Sequence, residues 1–94
     1  MSVIVGAVET FPDAQADKAQ AVKVLEEAAE VFGAWQQWNV TGRTVDQEQV
    51  ICECADVVQA MSNLLAAMGV VDMSHYIEIC RRKNVIRGRF GVDE

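Results

Sequence analysis

The sequence predicts an all-α protein built from a helical hairpin and a short third helix. The only proline, Pro12, stands near the N-terminus, so the rest of the chain runs on without the strongest helix breaker. Apolar residues then recur every three or four positions, which is the period of an amphipathic helix. Loop signals at residues 39–43 and at Gly69 divide this stretch into three helices. We therefore predict an arm over residues 1–13 and one helical domain over residues 14–90.

The arm and the first helix differ in composition. The arm is apolar and rich in β-branched side chains, which indicates an extended segment or an edge strand. Asp13 is the predicted N-cap of the first helix, which we expect to run from Ala14 to about Trp38. Three acids lie on one arc of this helix, Glu26, Glu27 and Glu30. The opposite arc is an apolar stripe expected to face the core: Ala21, Val22, Leu25, Ala29 and Phe32, widened by Val24, Ala28, Val31 and Trp35.

The second helix has clear start and stop signals. Thr44 and Gln47 match a capping box, and Gly69 is a suitable residue to follow a helix that ends near Met68. One acid, Glu53, falls inside the predicted core stripe of this helix, and Asp56 lies at its edge. The stripe consists of Val50, Val57, Ala60, Leu64, Ala67 and Met68.

The third helix is short and basic towards its end. Asp72 or Ser74 can cap it, and it is expected to reach about Lys83. The apolar arc of the second helix is too wide for one partner helix to cover, which predicts a second neighbour, most simply another subunit. We therefore expect a homodimer or homotetramer, in which hairpins from different subunits form a four-helix-type bundle.

Composition excludes several classes of function. The net charge of −6 and the pI of about 4.6 disfavour binding to a nucleic-acid backbone or to an anionic membrane surface. We find neither a basic signal sequence nor a run of about 18 apolar residues of the kind that spans a membrane. The three cysteines cannot form a complete set of intramolecular disulfides. These features predict a cytoplasmic protein with reduced, mostly buried cysteines.

Two acidic pairs carry the functional prediction. Glu27 and Glu30, and likewise Glu53 and Asp56, are three residues apart and are therefore neighbours on their helix surfaces. Unpaired carboxylates on a core-facing stripe need compensation by a proton, a basic group or a metal ion. The alternative for the first pair is a solvated face in which Lys23 pairs with Glu27. The second pair makes a hard-cation site across two helices the favoured interpretation.

Such a site suits phosphate chemistry. Mg²⁺ prefers oxygen ligands, and in proteins it is often held by carboxylates together with the phosphates of a substrate. Lys83, Arg87 and Arg89 could hold terminal phosphates. A di-iron site would need histidines spaced from glutamates, and the single histidine, His75, is in the wrong place for this. No phosphate-binding P-loop motif is present.

The pattern of these residues resembles a known superfamily. Glu26-Glu27-Ala28-Ala29-Glu30 is followed, after twenty-two residues, by Glu53-Cys54-Ala55-Asp56. This resembles the Glu-Glu-x-x-Glu…Glu-x-x-Asp pattern of the MazG-like all-α nucleoside triphosphate pyrophosphohydrolases. That superfamily includes dCTP pyrophosphatases, dimeric dUTPases and phosphoribosyl-ATP pyrophosphohydrolase. The ending Lys83-Asn84-Val85-Ile86-Arg87 is similar to the Lys-Asn-x-x-Arg ending common among them, so the resemblance covers residues from about 18 to 89.

The resemblance implies an activity and a role for each matching residue. The expected reaction is Mg²⁺-dependent cleavage of a nucleoside or deoxynucleoside triphosphate to the monophosphate and pyrophosphate, with Mn²⁺ as the alternative ion. Glu26 would be the base for the attacking water or a supporting acid. The implied metal ligands are Glu27, Glu30, Glu53 and Asp56. The implied phosphate contacts are Lys83, Asn84 and Arg87. Separately, Trp38 is a candidate for stacking on the base, whereas Trp35 is expected in the core.

Two alternatives stay open. One is a non-catalytic helical dimerisation or interaction module, since superfamily members often begin with a further helix that helps to hold the base, and residues 1–13 do not have a helical pattern. The other is phosphoribosyl-ATP hydrolysis, since the glutamate pattern does not select the base.

Overall fold

The computed structural model describes residues 1–91 and confirms the all-α prediction. It contains α1 (Lys18–Thr41), α2 (Thr44–Ala67) and α3 (Ser74–Ile86), and no strand occurs within this described range. The first residues form an extended arm rather than an edge strand. The three helices therefore stand close to the positions that the apolar periodicity predicts.

A two-residue connection joins α1 to α2 and makes them an antiparallel hairpin. Gly42 adopts a positive φ of 64°, and its N–H donates to the carbonyl oxygen of Trp38 at 2.7 Å, which closes the end of α1. The hydroxyl of Thr41 and the Nε of Arg43 both donate to the carboxylate of Asp46. The Thr41 hydroxyl and then the Arg43 guanidinium lower the pKa of Asp46. The turn is therefore fixed by side chains from both helices.

Two predicted helix starts are wrong. The N-cap of α1 is Asp17, whose carboxylate accepts from the N–H of Gln20 at 2.9 Å, so the helix begins later than a cap at Asp13 would place it. The capping box predicted at Thr44 does not form, because the short connection already places Thr44 in the helix. Arg43 takes the N-cap position of α2 and makes no side-chain capping bond.

The inner face of the hairpin is small and partly polar. Only Glu27, Ala60 and Asn63 are buried within the described residues. The side-chain amide of Gln20 donates to the carbonyl oxygen of Ala60 at 2.9 Å, which sets the antiparallel register. Around them lie half-buried apolar residues, Val24, Val31, Ala34 and Trp38 from α1 and Val50, Val57 and Leu64 from α2. The predicted core stripe of α2 is thus confirmed in its central part.

The apolar stripe of α1 points away from α2, contrary to the prediction. Leu25 is 70% exposed and Phe32 is 50% exposed, and Val22 and Ala29 are exposed beside them. We call these four residues the outer face of α1. Trp35, predicted in the core, is 45% exposed. The reason is geometric: the arc that carries Glu27 meets α2, and the outer face lies about half a turn away from it.

The N-terminal arm lies across α2 and is held there by two amide side chains. The Nε2 of Gln59 donates to the carbonyl oxygen of Glu9, and the N–H of Phe11 donates to the Oδ1 of Asn63, each at 2.9 Å. Asn63 therefore holds the arm against α2. Grooves of about 480 and 540 Å³ flank the arm on this side of α2.

The third helix stands apart from the hairpin. The described part of the chain has no close backbone contact between α3 and either α1 or α2. Gly69 follows the end of α2 with a positive φ of 84°, and the carboxylate of Asp72 accepts from both the N–H and the hydroxyl of Ser74. Every residue of α3 except Asn84 and Val85 is exposed.

One described helix, α2, is long and apolar enough to cross a membrane by length and composition alone. Such a single helix is weak evidence, because core helices of soluble proteins pass the same test. A crossing would also carry Glu53 and Asp56 into the hydrocarbon, where a central acidic residue costs about 2.5–3.5 kcal/mol on insertion scales. The high hydropathy of α2 reflects two apolar faces, one towards α1 and one towards the arm.

Candidate metal centre

Three glutamates meet at the middle of the hairpin. Glu27 and Glu30 come from α1 and Glu53 comes from α2, and each offers a carboxylate oxygen that lies within 4.8 Å of the other two. Spacing by three residues brings the first two together on α1. The antiparallel register brings Glu53 opposite them. The structure thus places three of the four predicted ligands in one group.

The group is only partly compensated by protein side chains. The Nζ of Lys23 lies 3.0 Å from a carboxylate oxygen of Glu27, as the spacing of four residues predicted. This hydrogen bond and the charge of Glu27 raise the pKa of Lys23. The Nε2 of Gln49 donates to the Oε1 of Glu53 at 2.7 Å. The other oxygen, Oε2 of Glu53, is buried and has no hydrogen-bond partner among the described residues.

The proximity of the acids changes the pKa of Glu30. The negative charge of Glu27 is the largest cause that raises the pKa of Glu30 above its ordinary value, and the nearby carboxylate of Glu53 adds to it. Glu30 therefore holds its proton to a higher pH than an isolated glutamate does. The raised pKa of Glu30 shows that the three carboxylates lie close together without enough positive charge to compensate them.

These residues fit a hard divalent cation. All three donors are carboxylate oxygens, which Mg²⁺ and Mn²⁺ favour over the nitrogen and sulfur ligands typical of zinc. The buried Oε2 of Glu53 is a donor position that no group within residues 1–91 satisfies. Cys52, Cys54 and Cys80 are free and exposed, contrary to the expectation of burial, and they lie outside the group.

Two further acids of the predicted site stand outside the group. Asp56 follows Glu53 by three residues on α2 but is exposed and does not join the other three. Glu26 is also exposed and lies about 100° around α1 from Glu27. Their assignments as ligand and as base stay predictions.

The predicted phosphate contacts are not brought to the acids within one chain. Lys83 and Asn84 lie on α3, and Arg87 caps its end. The side-chain amide of Asn84 donates to the carbonyl oxygen of Cys80 at 3.1 Å, a bond internal to that helix. Because α3 makes no close backbone contact with the hairpin in the described range, these groups and the glutamates form separate parts of the surface.

Trp38 lies near the turn that joins α1 to α2. It is half-buried on the arc of α1 that meets α2, eleven residues after Glu27, which corresponds to about 16 Å along the helix. A stacking role for Trp38 stays a prediction.

Gln49, the neutral donor to Glu53, was not among the residues predicted from the sequence. Its position four residues before Glu53 on the same helix is the signal that could have found it, since residues at this spacing share a face. A neutral amide satisfies one oxygen of Glu53 without removing its charge, so the charge of the group is still available to a cation.

The grooves beside the arm are not part of this centre. The larger one is lined on α2 by Ile51, Cys54, Ala55 and Val58, which lie roughly 100–200° around the helix from Glu53. The acids therefore lie on one side of α2 and the grooves lie on another.

No family model, no curated protein and no solved structure matches this chain. The resemblance to the MazG-like superfamily therefore rests on the residue pattern alone.

Proposed function

We propose that the protein is a Mg²⁺-dependent nucleotide pyrophosphohydrolase that cleaves a nucleoside or deoxynucleoside triphosphate to the monophosphate and pyrophosphate. The observation that carries the proposal is the group of Glu27, Glu30 and Glu53, in which a buried carboxylate oxygen finds no hydrogen-bond partner in the described part of the chain. The resemblance of the acidic pattern to the MazG-like superfamily supports the choice of substrate class.

The proposed chemistry follows from the charge of this group. Bound there, a divalent cation would neutralise phosphate charge and lower the pKa of a water ligand. The oxygen of water attacks the α-phosphorus, the bond to the α–β bridging oxygen breaks, and pyrophosphate leaves. The water proton passes to a base, the role proposed for Glu26. Asp56 is proposed as the fourth metal ligand, and Lys83, Asn84 and Arg87 are proposed to hold the phosphates.

The test is a panel of ribonucleoside and deoxynucleoside triphosphates, with phosphoribosyl-ATP included, incubated with Mg²⁺ and assayed for pyrophosphate. In water labelled with ¹⁸O, attack at the α-phosphorus places the label in the monophosphate, whereas attack at the β-phosphorus places it in pyrophosphate. A panel without any turnover contradicts the proposal.

Three variants separate the proposed roles. Glu53→Gln removes a proposed ligand and should abolish turnover, whereas Glu48→Gln changes an exposed acid of the same helix and should not. Glu26→Gln should lower kcat by about 100-fold or more while Mg²⁺ still stabilises the fold, because it removes a base rather than a ligand. Full activity of the Glu53 variant would show that the ligand assignment is wrong.

The second candidate is a non-catalytic helical module. The exposed outer face of α1 and the separation of α3 from the acids favour it. This candidate predicts that the thermal midpoint responds little to Mg²⁺ plus nucleotide. A large stabilisation by the two together would exclude it.

A further inference from the structure

The two oxygens of the Glu53 carboxylate have different surroundings. The side-chain Nε2 of Gln49, one helical turn earlier on α2, donates to Oε1 of Glu53 at 2.7 Å. The other oxygen, Oε2, is buried and accepts no hydrogen bond from residues 1–91. A buried polar atom without a partner is costly. Because the amide holds Oε1, Oε2 is the oxygen left for a ligand from outside the chain.

The surface position of Gln49 limits what its side chain can contribute. Gln49 is exposed, so it adds little to the packing of the hairpin. Its spacing of four residues from Glu53 makes the two side chains neighbours on the helix surface. The bond to Oε1 is therefore the main contribution of this side chain, and that bond fixes how the Glu53 carboxylate is turned.

The neutrality of Gln49 matters because the group of acids already has a cationic partner. The ammonium group of Lys23 lies 3.0 Å from a carboxylate oxygen of Glu27. A second cationic donor, placed at Glu53, would cancel more of the negative charge that attracts a divalent ion. An amide fixes Oε1 and leaves that charge in place.

A carboxylate held by one oxygen distinguishes between hard cations. Mg²⁺ takes about six oxygen ligands in a near-octahedral arrangement, whereas Ca²⁺ takes about six to eight and accepts both oxygens of one carboxylate. To bind an ion through both oxygens, Glu53 would have to give up the hydrogen bond from Gln49. Binding through Oε2 alone keeps that bond, and it suits the smaller ion.

We propose that Gln49 is a positioning residue that sets the cation selectivity of the acidic centre. By holding Oε1, it makes Glu53 bind a divalent ion through Oε2 alone, which raises the preference for Mg²⁺ over Ca²⁺. Gln49 acts through Glu53 and does not touch the ion. The inference rests on the metal-binding part of the proposed function and is independent of which nucleotide is cleaved.

Isothermal titration calorimetry of the full chain with Mg²⁺ and, separately, with Ca²⁺ tests the proposal without nucleotide. Gln49→Met keeps the length and the helix-forming tendency of the side chain but removes the donor. The ratio of Mg²⁺ affinity to Ca²⁺ affinity should fall about tenfold, because Glu53 is no longer held for one-oxygen binding. Gln47→Met is the matched control, since Gln47 is exposed on the same helix about 200° around from Gln49, and it should keep the wild-type ratio.

Gln49→Lys separates the donated bond from the charge. The ammonium group can also donate to Oε1, and it adds a positive charge beside the acids. Both cations should therefore bind more weakly than they bind the wild type, while the ratio of the two affinities stays close to the wild-type ratio. A ratio that falls as far in Gln49→Lys as in Gln49→Met would overturn the role of the hydrogen bond.

The outcomes distinguish this inference from the proposed function. If Mg²⁺ binds and nucleotides are cleaved, but Gln49→Met keeps the wild-type ratio, the role of Gln49 is wrong and the hydrolase proposal stands. If Gln49→Met loses selectivity while the nucleotide panel shows no turnover, the role of Gln49 stands and the hydrolase proposal is wrong. A wild-type protein that binds neither cation overturns both.

Discussion

Replacing Glu53 by glutamine should make the cation-free protein more stable and the Mg²⁺-loaded protein less stable than wild type. The carboxylate oxygens of Glu53 and Glu27 lie within 4.8 Å of each other. Two unit charges at that distance repel by about 1 kcal/mol in bulk water and about 3.5 kcal/mol at an effective dielectric of 20. The substitution removes this repulsion, because it replaces the carboxylate by a neutral amide of the same size.

The magnitude is large enough to measure. We expect a gain of about 1–3 kcal/mol in the free energy of unfolding without divalent cations. Each kcal/mol raises Tm by roughly 4–8 °C in a domain of this size. With Mg²⁺ at 100 times its Kd, the wild-type protein gains about 2.7 kcal/mol, whereas a variant without this ligand gains less. The order of the two proteins should therefore reverse on adding Mg²⁺.

The assay is guanidinium unfolding followed by circular dichroism, with EDTA and then across a Mg²⁺ titration. Protein concentration is kept the same throughout, because self-association would make the measured stability depend on it. Glu48→Gln, which removes one charge from the same helix outside the group, should follow the wild type in both conditions. The electrostatic reasoning is refuted if Glu53→Gln is less stable than wild type without Mg²⁺, or if Mg²⁺ does not change the free energy of unfolding of the wild type.

Three further predictions concern single groups. Because the pKa of Glu30 is raised, its contribution to cation-free stability is fully present below the ordinary value of 4.5 and is lost as pH rises through the raised pKa. Tm measured against pH in EDTA should show this loss, and Glu30→Gln should remove it. Asn63→Ala should cost about 1–3 kcal/mol in unfolding experiments and accelerate hydrogen exchange at the amide of Phe11, which Asn63 holds; unchanged exchange would mean that the arm is held elsewhere. Asp17→Ala should cost about 0.5–2 kcal/mol in chemical denaturation because the N–H of Gln20 loses its capping acceptor, and an equal loss in Asp13→Ala would contradict that assignment.

The spacing of the apolar residues could predict the helices, because it depends only on which residues lie on the same side of a helix. The central stripe of α2 was predictable in detail, including the unusual place of Glu53 between Val57 and Ala60. The ends of the helices were less predictable, because Asp13 and Asp17 are equally good caps by residue type. α1 ends at Thr41 because Gly42, the next residue, adopts the left-handed conformation that closes the helix.

The orientation of α1 could not be read from the sequence. An apolar stripe marks a face that is suited to burial, but it does not show which element packs against that face. Here Glu27 faces α2 and Leu25 faces outwards. Both arcs of α1 carry apolar residues, so the periodicity alone does not decide which arc faces α2.

The parts of the candidate site that depend on residue spacing within the hairpin were predictable. Glu27 and Glu30 are neighbours on one helix, and the hairpin brings Glu53 to them, as the sequence predicted. The position of α3 relative to the acids depends on contacts that its short sequence does not specify. Lys83 and Arg87 therefore stay predicted phosphate contacts, on a helix that makes no close backbone contact with the hairpin in the described range.

The ammonium group of Lys23 already occupies one side of the acidic centre, 3.0 Å from Glu27. A divalent ion that binds at the centre would displace this ammonium group from Glu27, so binding is an exchange of one cation for another. The displaced amine, no longer held at a raised pKa, should react faster with acylating reagents. Labelling of this one lysine would then report the occupancy of the centre without any nucleotide being present.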